Sequence, residues 1–354
     1  MQSLSPEYLA RLSFTAAQMK TIRALGDARG QQALWYQQVP ETLKSLRRTA
    51  VIESSESSNR LEGVTVAPER LRPLIEERDD PHTRSEQEIA GYRDALALVH
   101  ESGRDMAFTA NIVRQLHGRL YRYMADEGGT WKGAANDIVE HLPGGATRVR
   151  FSPTAPHLVE PQMESLCERY RAARTAEQEP LVLVPLAILD FLCIHPFRDG
   201  NGRVARLLSL MLLYHADYEV GRYISLERVI EGSKETYYEA LETSSTGWHE
   251  GRHDVTPWLD YFWGMLLRAY REFGERLDSS RATAHGSKTE RVRAAVLRRD
   301  APFRLADLHD ECQGISREMI RHVLRAMRDE GLVATTGQGR GARWHRINRD
   351  PTDE

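Results

Sequence analysis

One twelve-residue segment organises this sequence: His195-Pro196-Phe197-Arg198-Asp199-Gly200-Asn201-Gly202-Arg203-Val204-Ala205-Arg206. The residues before it, 181–194, are nearly all apolar, which is typical of a buried helix. Apolar residues after it recur at the spacing of one helix face: Val204, Leu207, Leu208, Met211 and Leu212. The segment is therefore predicted to be a loop between two helices, the second of which begins at its glycines.

The glycines of this loop suit it to binding an anion. Gly200 and Gly202 carry no Cβ, so with Asn201 between them the backbone can turn tightly and approach a ligand closely. The first amides of the following helix are unpaired, and the helix dipole is positive there. Arg203 and Arg206 lie three residues apart on that helix, where their forked donors match phosphate oxygens. The pattern predicts a phosphate site that uses all five residues.

Two further residues add chemistry to that site. Asp199 lies just ahead of the glycines, where its carboxylate is placed to hold Mg²⁺, a cation that prefers carboxylate and phosphate oxygens. His195 is the group here that accepts a proton near neutral pH without strong tuning. Together these side chains can activate a hydroxyl, neutralise phosphate charge and stabilise an in-line displacement. The segment lacks both the GxxxxGK[ST] of a P-loop and the GxGxxG of a dinucleotide fold.

The segment resembles the signature HxFx(D/E)GNGRxxR of the Fic family at every defined position. This resemblance, over roughly residues 50–265, implies an all-α core in which His195 is the general base for a Ser, Thr or Tyr hydroxyl of a target protein. It also implies that Asp199 holds Mg²⁺, that the Gly-Asn-Gly loop binds the α- and β-phosphates of ATP, and that Arg206 meets the γ-phosphate. The implied product is a protein carrying AMP, with pyrophosphate released.

A second pattern lies upstream and opposes the first. The segment Ser58-Asn59-Arg60-Leu61-Glu62-Gly63 resembles the family's inhibitory pattern (S/T)xxxE(G/N), in the N-terminal placement of its second class. Ser58 and Glu62 are four residues apart and share one face of a helix, which Gly63 would end by taking a positive φ. The resemblance implies that Glu62 pairs with Arg206, so that ATP binds only in a poorly reactive pose.

A hairpin is expected between the two patterns. Helical periodicity stops at residues 137–157, where prolines and glycines cluster and where Val149 and Phe151 alternate with Arg148 and Arg150. By resemblance to the family, this hairpin is a flap that adds a target segment as an extra strand and aligns its hydroxyl. The alternative is a solvated surface hairpin.

Two adjacent tyrosines are candidates for the nucleotide pocket. Tyr237 and Tyr238 resemble a tyrosine-containing helix that lines the adenine pocket in relatives. The alternative is that this aromatic pair belongs to the core, as such pairs on helices often do.

The chain divides into four predicted parts. Residues 1–90 form a helical region that carries the inhibitory pattern at 58–63, and residues 91–275 form the catalytic core. Residues 276–289 are polar, rich in small side chains and without periodicity, which predicts a linker. Residues 290–350 predict three short helices and two strands, and resemble a winged helix-turn-helix domain. The predicted fold class is therefore mostly α: a Fic-type helical core with a small β-hairpin flap, plus this C-terminal domain.

The C-terminal part is basic within an acidic protein. Residues 288–349 hold one lysine and thirteen arginines against eight acidic residues, whereas the whole chain has a net charge of −3. Four arginines line one face of the third helix: Arg317, Arg321, Arg325 and Arg328. That face suits DNA phosphates and a major groove. The alternatives are a surface for a protein partner or a homodimer, and a purely structural appendage.

The composition predicts a soluble protein of the cytoplasm. No apolar run approaches the ~20 residues of a membrane span, and the first residues lack the regions of a signal peptide. The three cysteines have no CxxC spacing, which fits a reducing compartment and argues against a disulfide framework or a zinc–thiolate site.

The leading expectation is AMP transfer from Mg-ATP to a hydroxyl of a target protein, the chain itself included, held in check by Glu62. Two alternatives use the same features. In the first, Glu62 orients a water molecule that removes AMP from a modified protein. In the second, the core senses a nucleotide while the C-terminal domain binds DNA. The intact His195 weighs against a purely binding role, because nucleotide binding does not need that base.

Overall fold

The computed structural model of the protein describes residues 3–38, 40–141, 147–299, 301–312, 314–337 and 342–347. The chain forms two compact units, Met1–Gly274 and Glu275–Glu354. No helix within the described ranges is both long and apolar enough to cross a membrane.

The first unit is built mostly of α-helices. In chain order these are α1 Pro6–Leu9, α2 Ala16–Gln38, α3 Pro40–Leu61, α4 Pro68–Ile75, α5 Arg84–Ser102, α6 Ala110–Leu120, α7 Val159–Thr175, α8 Pro180–Ile194, α9 Asn201–His215, α10 Leu226–Glu231, α11 Lys234–Ser245 and α12 Thr256–Leu297, the last of which continues past residue 274. Two strands, β1 Ile138–His141 and β2 Thr147–Phe151, pair antiparallel, which confirms the predicted hairpin.

Helix α8 is the centre of the core and fixes the start of the twelve-residue loop. Thirteen of its fifteen residues are buried, as its apolar sequence predicts. Pro185 has no amide hydrogen, so the carbonyl of Leu181 lacks its usual partner within the helix. The indole nitrogen of Trp263 in α12 donates to that carbonyl at 2.7 Å. This hydrogen bond satisfies the buried carbonyl and connects α8, the helix that ends at the loop, to α12.

The predicted border at residues 90/91 does not separate two parts of the structure. It falls inside α5, in the middle of the first unit. The reason is apolar packing: Ile89 of α5 clusters with Leu71 and Ile75 of α4, and Val51 and Ile52 of α3 pack against them. The N-terminal helices therefore belong to the same unit as the loop.

The predicted linker, residues 276–289, is helical and lies within α12. The segment contains no proline to break a helix, although serine, threonine and glycine within it are weak helix formers. A polar segment without an apolar face resembles a loop in sequence. The boundary between the units falls after Gly274.

The second unit contains the helices and strands that its sequence predicts. Beyond the end of α12 these are α13 Leu305–Glu311, α14 Arg317–Asp329, β3 Val333–Thr336 and β4 Arg343–Arg346. The two strands pair antiparallel, and Phe303 forms an isolated bridge with Trp344. The predicted core face of α14 is buried: Ile320, Val323, Leu324 and Met327.

Candidate active site

The twelve-residue loop connects α8 to α9 through two left-handed residues. His195 ends α8 with φ 50° and ψ 61°, and its amide donates to the carbonyl of Phe191 at 2.9 Å. Gly200 precedes α9 with φ 80°, a conformation that favours glycine. The amide side chain of Asn201 accepts from the Phe197 amide at 2.9 Å and donates to the Phe197 carbonyl at 2.8 Å. Asn201 thus holds the loop closed from within.

The loop faces a cavity of about 690 Å³. Nine of the residues that the sequence singled out line it: Glu62, Arg150, Phe151, His195, Asp199, Gly202, Arg206, Tyr237 and Tyr238. Seven others are not part of its lining: Ser58, Gly63, Arg148, Val149, Gly200, Asn201 and Arg203. The residue that follows α3, the loop, the β-hairpin and the tyrosine helix therefore meet at one site.

The geometry of His195 fixes the state of its imidazole. Its Nδ1 lies 3.2 Å from the carbonyl oxygen of Leu192. A carbonyl only accepts, so Nδ1 carries the hydrogen and Nε2 has a free lone pair. Burial lowers the pKa of His195 to about 4, although the Leu192 carbonyl opposes that shift. At neutral pH the ring is a neutral proton acceptor, the form that a general base requires.

Asp199 presents a charged carboxylate to the cavity. Its side chain is 61% exposed. Burial raises the pKa of Asp199, but the Arg203 guanidinium and the Gly200 amide more than offset this, and the pKa is lowered. No cluster of three or more potential metal ligands exists among the described residues. A single carboxylate still fits Mg²⁺, which is commonly held by one or two carboxylates together with substrate phosphates.

Arg203 does not point into the cavity, contrary to the expectation that both arginines of the loop lean toward phosphates. Its side chain is 2% exposed and lies 2.6 Å from the Glu88 carboxylate on α5. Its other terminal nitrogen lies 3.3 Å from Asp199 Oδ2. A buried guanidinium requires such partners, because an unpaired buried charge is costly. Arg203 therefore orients Asp199 from behind.

Arg206 has the partners that the inhibitory pattern predicts. Its Nη2 lies 2.7 Å from Glu62 Oε1 and 2.9 Å from the Ser58 carbonyl, and its Nε donates to Ser58 Oγ at 2.8 Å. Arg206 is buried, whereas the Glu62 side chain is 31% exposed. Burial lowers the pKa of Arg206, but the Glu62 carboxylate reverses the effect and the pKa is raised. Every direct contact of this guanidinium that we find in the described residues comes from the end of α3.

Glu62 lies directly over the start of α9. A Cβ on Gly202 would be 2.4 Å from Glu62 Oε1, so the carboxylate lies against Gly202 and would have to move for a larger residue. Gly63 has φ 78° and ends the helix as predicted. A carboxylate at the N-terminus of α9 occupies the electrostatically positive position that an anionic ligand would use.

The flap is attached to α11 by its arginines. Arg148 and Arg150 each lie 3.3 Å from the Glu242 carboxylate. Val149 is 55% exposed, and Phe151 stacks on His249 with ring centroids 5.5 Å apart. Arg150 and Phe151 therefore line the cavity, whereas Arg148 does not and Val149 leaves an apolar side chain in solvent.

The two tyrosines differ in exposure. Tyr237 is buried, and its ring packs 5.8 Å from that of Trp258. Tyr238 is half-buried, and the Arg150 guanidinium lies 5.7 Å from its ring centroid. Both tyrosines line the cavity. Tyr237 is also a core residue, whereas Tyr238 borders the cavity from a half-buried position.

Lys132 and Asn136 lie outside the sequence motifs and stabilise the loop through hydrogen bonds. Lys132 donates from Nζ to the Ile194 carbonyl at 3.3 Å, and from its amide to the Pro196 carbonyl at 2.9 Å. Asn136 donates to the Phe197 carbonyl at 2.9 Å. Burial lowers the pKa of Lys132 to about 8. The segment leading into the flap thus holds the carbonyls on both sides of His195.

Three more site residues lay outside the patterns in the sequence. Glu88 pairs with Arg203, and His117 and Tyr121 both contact Asp199. His117 and Tyr121 are four residues apart, at the end of α6, and a four-residue spacing places two side chains on one side of a helix. Nothing in the sequence indicated which group they face.

The fold and the site define a helical protein with a glycine-containing turn between two buried helices and a neutral histidine at its start. Residues 107–213 match the model of the Fic/DOC family. The matched residues include the whole twelve-residue loop. This match agrees with the resemblance of the twelve-residue loop to the Fic signature.

Named relatives and solved structures are similar to this chain. Protein adenylyltransferase Fic of Nematostella vectensis is 23% identical over 227 residues, covering 62% of this chain and 48% of the relative. Its counterpart from Culex quinquefasciatus is 23% identical, with 62% and 41% covered. The chain therefore spans less than half the length of these relatives.

Among solved structures, a Fic family protein from Desulfovibrio desulfuricans G20 superposes with a TM-score of 0.61 at 21% identity, covering 96% of this chain and 98% of that one. A Fic domain containing signaling protein from Bacteroides thetaiotaomicron VPI-5482 gives 0.59 at 21% identity, with 73% and 98% covered. These similarities establish the predicted mostly α, Fic-type fold.

Proposed function

We propose that this protein is an adenylyltransferase that moves AMP from ATP to a hydroxyl of a target protein. One observation carries the proposal: a single cavity is lined by the neutral His195, the charged Asp199, and Gly202 at the positive end of α9. Relatives named protein adenylyltransferase support the same reaction.

The chemistry assigns a task to each of these groups. His195 Nε2 takes the proton of the target hydroxyl while its oxygen forms a bond to the α-phosphorus of ATP. The bond from that phosphorus to the bridging oxygen breaks, and pyrophosphate leaves with the electron pair. The amides that open α9 stabilise charge on the phosphates. Mg²⁺, held through Asp199, would neutralise phosphate charge when bound.

We further propose that Glu62 restrains this reaction. It occupies Arg206 at 2.7 Å and lies over Gly202, where phosphate oxygens would otherwise bind. Replacing Glu62 frees a guanidinium for charge-assisted hydrogen bonds with ATP, each worth about 1.5–3 kcal/mol. That range corresponds to a gain of about 10- to 150-fold.

The test measures AMP transfer from α-labelled ATP, to the chain itself and to proteins of a cell lysate. We expect Glu62→Gly to exceed the wild type about tenfold or more, and His195→Ala in the Glu62→Gly background to abolish transfer. Glu77→Gly is a matched control, because Glu77 also follows a helix and its side chain is 74% exposed.

Each outcome decides a separate claim. Equal transfer by wild type and Glu62→Gly would contradict the restraint. Transfer that survives His195→Ala would contradict the reaction. If wild type removes label from a modified target and Glu62→Gly does not, the favoured direction is AMP removal with Glu62 orienting water.

We also propose that the second unit binds duplex DNA through α14. The observation that favours this second function is the shared exposure of four arginines on α14: Arg317, Arg321, Arg325 and Arg328. Two acidic residues contact these arginines: Glu318 lies 3.5 Å from Arg321 and 3.9 Å from Arg325, and Asp329 lies 3.5 Å from Arg328. These contacts are solvent-exposed and hold the arginines weakly, so phosphates can replace them.

Binding of the full chain to a labelled duplex at several salt concentrations tests this function. We expect Arg321→Ser and Arg325→Ser each to weaken binding and to reduce the salt slope by about one. Arg298→Ser is the control, because Arg298 is 72% exposed and lies in the turn after α12, not on α14. No retention at low salt would contradict the proposal and favour a protein-docking surface.

A further inference from the structure

His117 of α6 is buried beside the loop with its hydrogen position fixed. Its Nδ1 accepts a hydrogen bond from the Gly129 amide at 2.7 Å, so that nitrogen carries no hydrogen. Its Nε2 therefore carries the hydrogen and donates to the main-chain oxygen of Asp199 at 3.0 Å. The side chain of His117 thus holds the backbone of the residue whose carboxylate faces the cavity.

Tyr121, one turn further along the chain, holds the carboxylate of the same residue. Its hydroxyl donates to Asp199 Oδ2 at 3.0 Å. Burial, followed by the Asp199 charge, raises the pKa of Tyr121, so the hydroxyl stays protonated. One face of one helix therefore fixes Asp199 at two points, the main chain and the carboxylate.

Aromatic stacking gives these two side chains little freedom. The His117 ring stacks on Phe197 of the loop, with centroids 3.8 Å apart and planes 7° apart, and on Tyr121 at 4.5 Å. A Cβ on Gly200 would be 3.3 Å from Tyr121 Cε2 and 3.4 Å from His117 Nε2. The loop glycine that precedes α9 therefore packs directly against both rings.

The partner of His117 is also closely packed. A Cβ on Gly128 would be 2.7 Å from Tyr121 Cβ and 2.8 Å from the Cα of Gly118. The chain at residues 128–129 thus lies against the backbone of α6, which places the Gly129 amide at the imidazole. The hydrogen-bond chain runs from the Gly129 amide through His117 to Asp199.

We propose that His117 and Tyr121 are positioning residues that hold Asp199 in the orientation required for a divalent cation. The inference rests on the proposed function, in which Asp199 holds Mg²⁺. Hydrogen bonds to a ligating carboxylate orient it, and their removal commonly weakens metal binding 10- to 100-fold. Tyr121 contacts the carboxylate itself, and His117 acts on it through the main chain.

Direct cation binding tests the proposal without relying on turnover. The parent protein is Glu62→Gly with α,β-methylene-ATP bound, and the probe is Mn²⁺ followed by electron paramagnetic resonance. We expect Tyr121→Phe, which keeps the ring stack and loses one hydroxyl, to raise the Mn²⁺ Kd about tenfold. His117→Phe loses both hydrogen bonds but keeps a ring, and we expect at least as large a rise.

Tyr123→Phe is the matched control. The Tyr123 hydroxyl lies two residues further along and donates to Asp94 Oδ2 at 2.9 Å, away from the cavity. We expect its Mn²⁺ Kd to equal that of the parent. Thermal unfolding of each variant separates stability from positioning, because a structural role alone would lower the unfolding temperature and leave the Mn²⁺ Kd unchanged.

The outcomes test the positioning role and the proposed metal function separately. A Tyr121→Phe protein that binds Mn²⁺ as tightly as the parent overturns the positioning role, even if AMP transfer is intact. A folded Glu62→Gly parent that binds the nucleotide but no Mn²⁺ overturns the proposed metal function and, with it, the positioning role. A tenfold rise for Tyr121→Phe with unchanged Tyr123→Phe supports both.

Discussion

Two arginines three residues apart in one motif differ in whether they can exchange their carboxylate partner for a phosphate. Arg203 and Arg206 are 2% and 3% exposed, and each pairs with a glutamate, at 2.6 Å and 2.7 Å. The partner of Arg203, Glu88, is itself buried on α5, so both charges of this pair lie within the core. The partner of Arg206, Glu62, follows the last residue of α3 and is 31% exposed. Only Arg206 can exchange its carboxylate for a phosphate without leaving a buried charge unpaired.

The residue types of the site could be predicted from the sequence, but not all of their partners. The resemblance of residues 58–63 to a known pattern implied the contact between Glu62 and Arg206, whereas the Ser58–Glu62 spacing alone indicated only a shared helix face. Arg203 was expected to reach phosphate, because its spacing from Arg206 suggested a shared direction. Its true direction is set by Glu88, which the packing of α5 on α9 brings near from 115 positions away. Spacing within one segment carries no information about such a contact.

At the scale of secondary structure, the C-terminal half of α3 is tied to α10 by polar contacts. Arg228 lies 3.1 Å from Glu53, and Glu227 accepts from Ser54 Oγ at 2.7 Å. Near the end of α3, Arg60 lies 2.5 Å from Glu231 and 2.9 Å from Glu56. The position of Glu62 therefore depends on a row of contacts outside the cavity.

Removal of the last of these contacts should loosen the restraint in part. Arg60 is 41% exposed, and exposed ion pairs contribute about 0.2–1 kcal/mol, so we expect Arg60→Ala to raise AMP transfer about 1.4- to 5-fold. The rise should shrink in the Glu62→Gly background, where no restraint is left. Arg48→Ala is the control, since Arg48 is also an exposed, paired arginine of α3, with Glu76 as its partner. Equal gains from both variants would contradict a specific role for Arg60.

Whether a segment could be predicted depended on how much of its structure local chemistry determines. The flap was predictable because alternation at Arg148 to Phe151 and the turn-forming residues around it act locally. The helical state of residues 276–289 was not, because a helix without an apolar face leaves no periodic signal. That residues 1–274 form one compact unit was not predicted, for a third reason. It depends on apolar contacts between distant helices, such as Ile89 with Leu71.

At the scale of the whole molecule, buried neutral histidines make the first unit sensitive to acid. Burial lowers the pKa of His100 to about 3 and that of His253 to about 4, and both side chains are at most 5% exposed. His100 contacts the Tyr214 hydroxyl at 2.9 Å, and His253 contacts Ser3 Oγ at 2.8 Å. Both imidazoles must stay neutral in the fold, whereas the unfolded chain binds protons on them below the ordinary histidine pKa of 6.5.

The free energy of unfolding should therefore fall as the pH drops below 6.5, by up to about 1.4 kcal/mol per pH unit for each such histidine. Between pH 7.5 and 5.0 most carboxylates stay ionised, so the histidines dominate this window. Urea unfolding followed by tryptophan fluorescence reports mainly on the first unit, which holds five of the six tryptophans. We expect a lower midpoint at pH 5.0 with an unchanged slope, and a weaker pH dependence for His100→Phe. Equal midpoints at the two pH values would show that these imidazoles are charged in the native state.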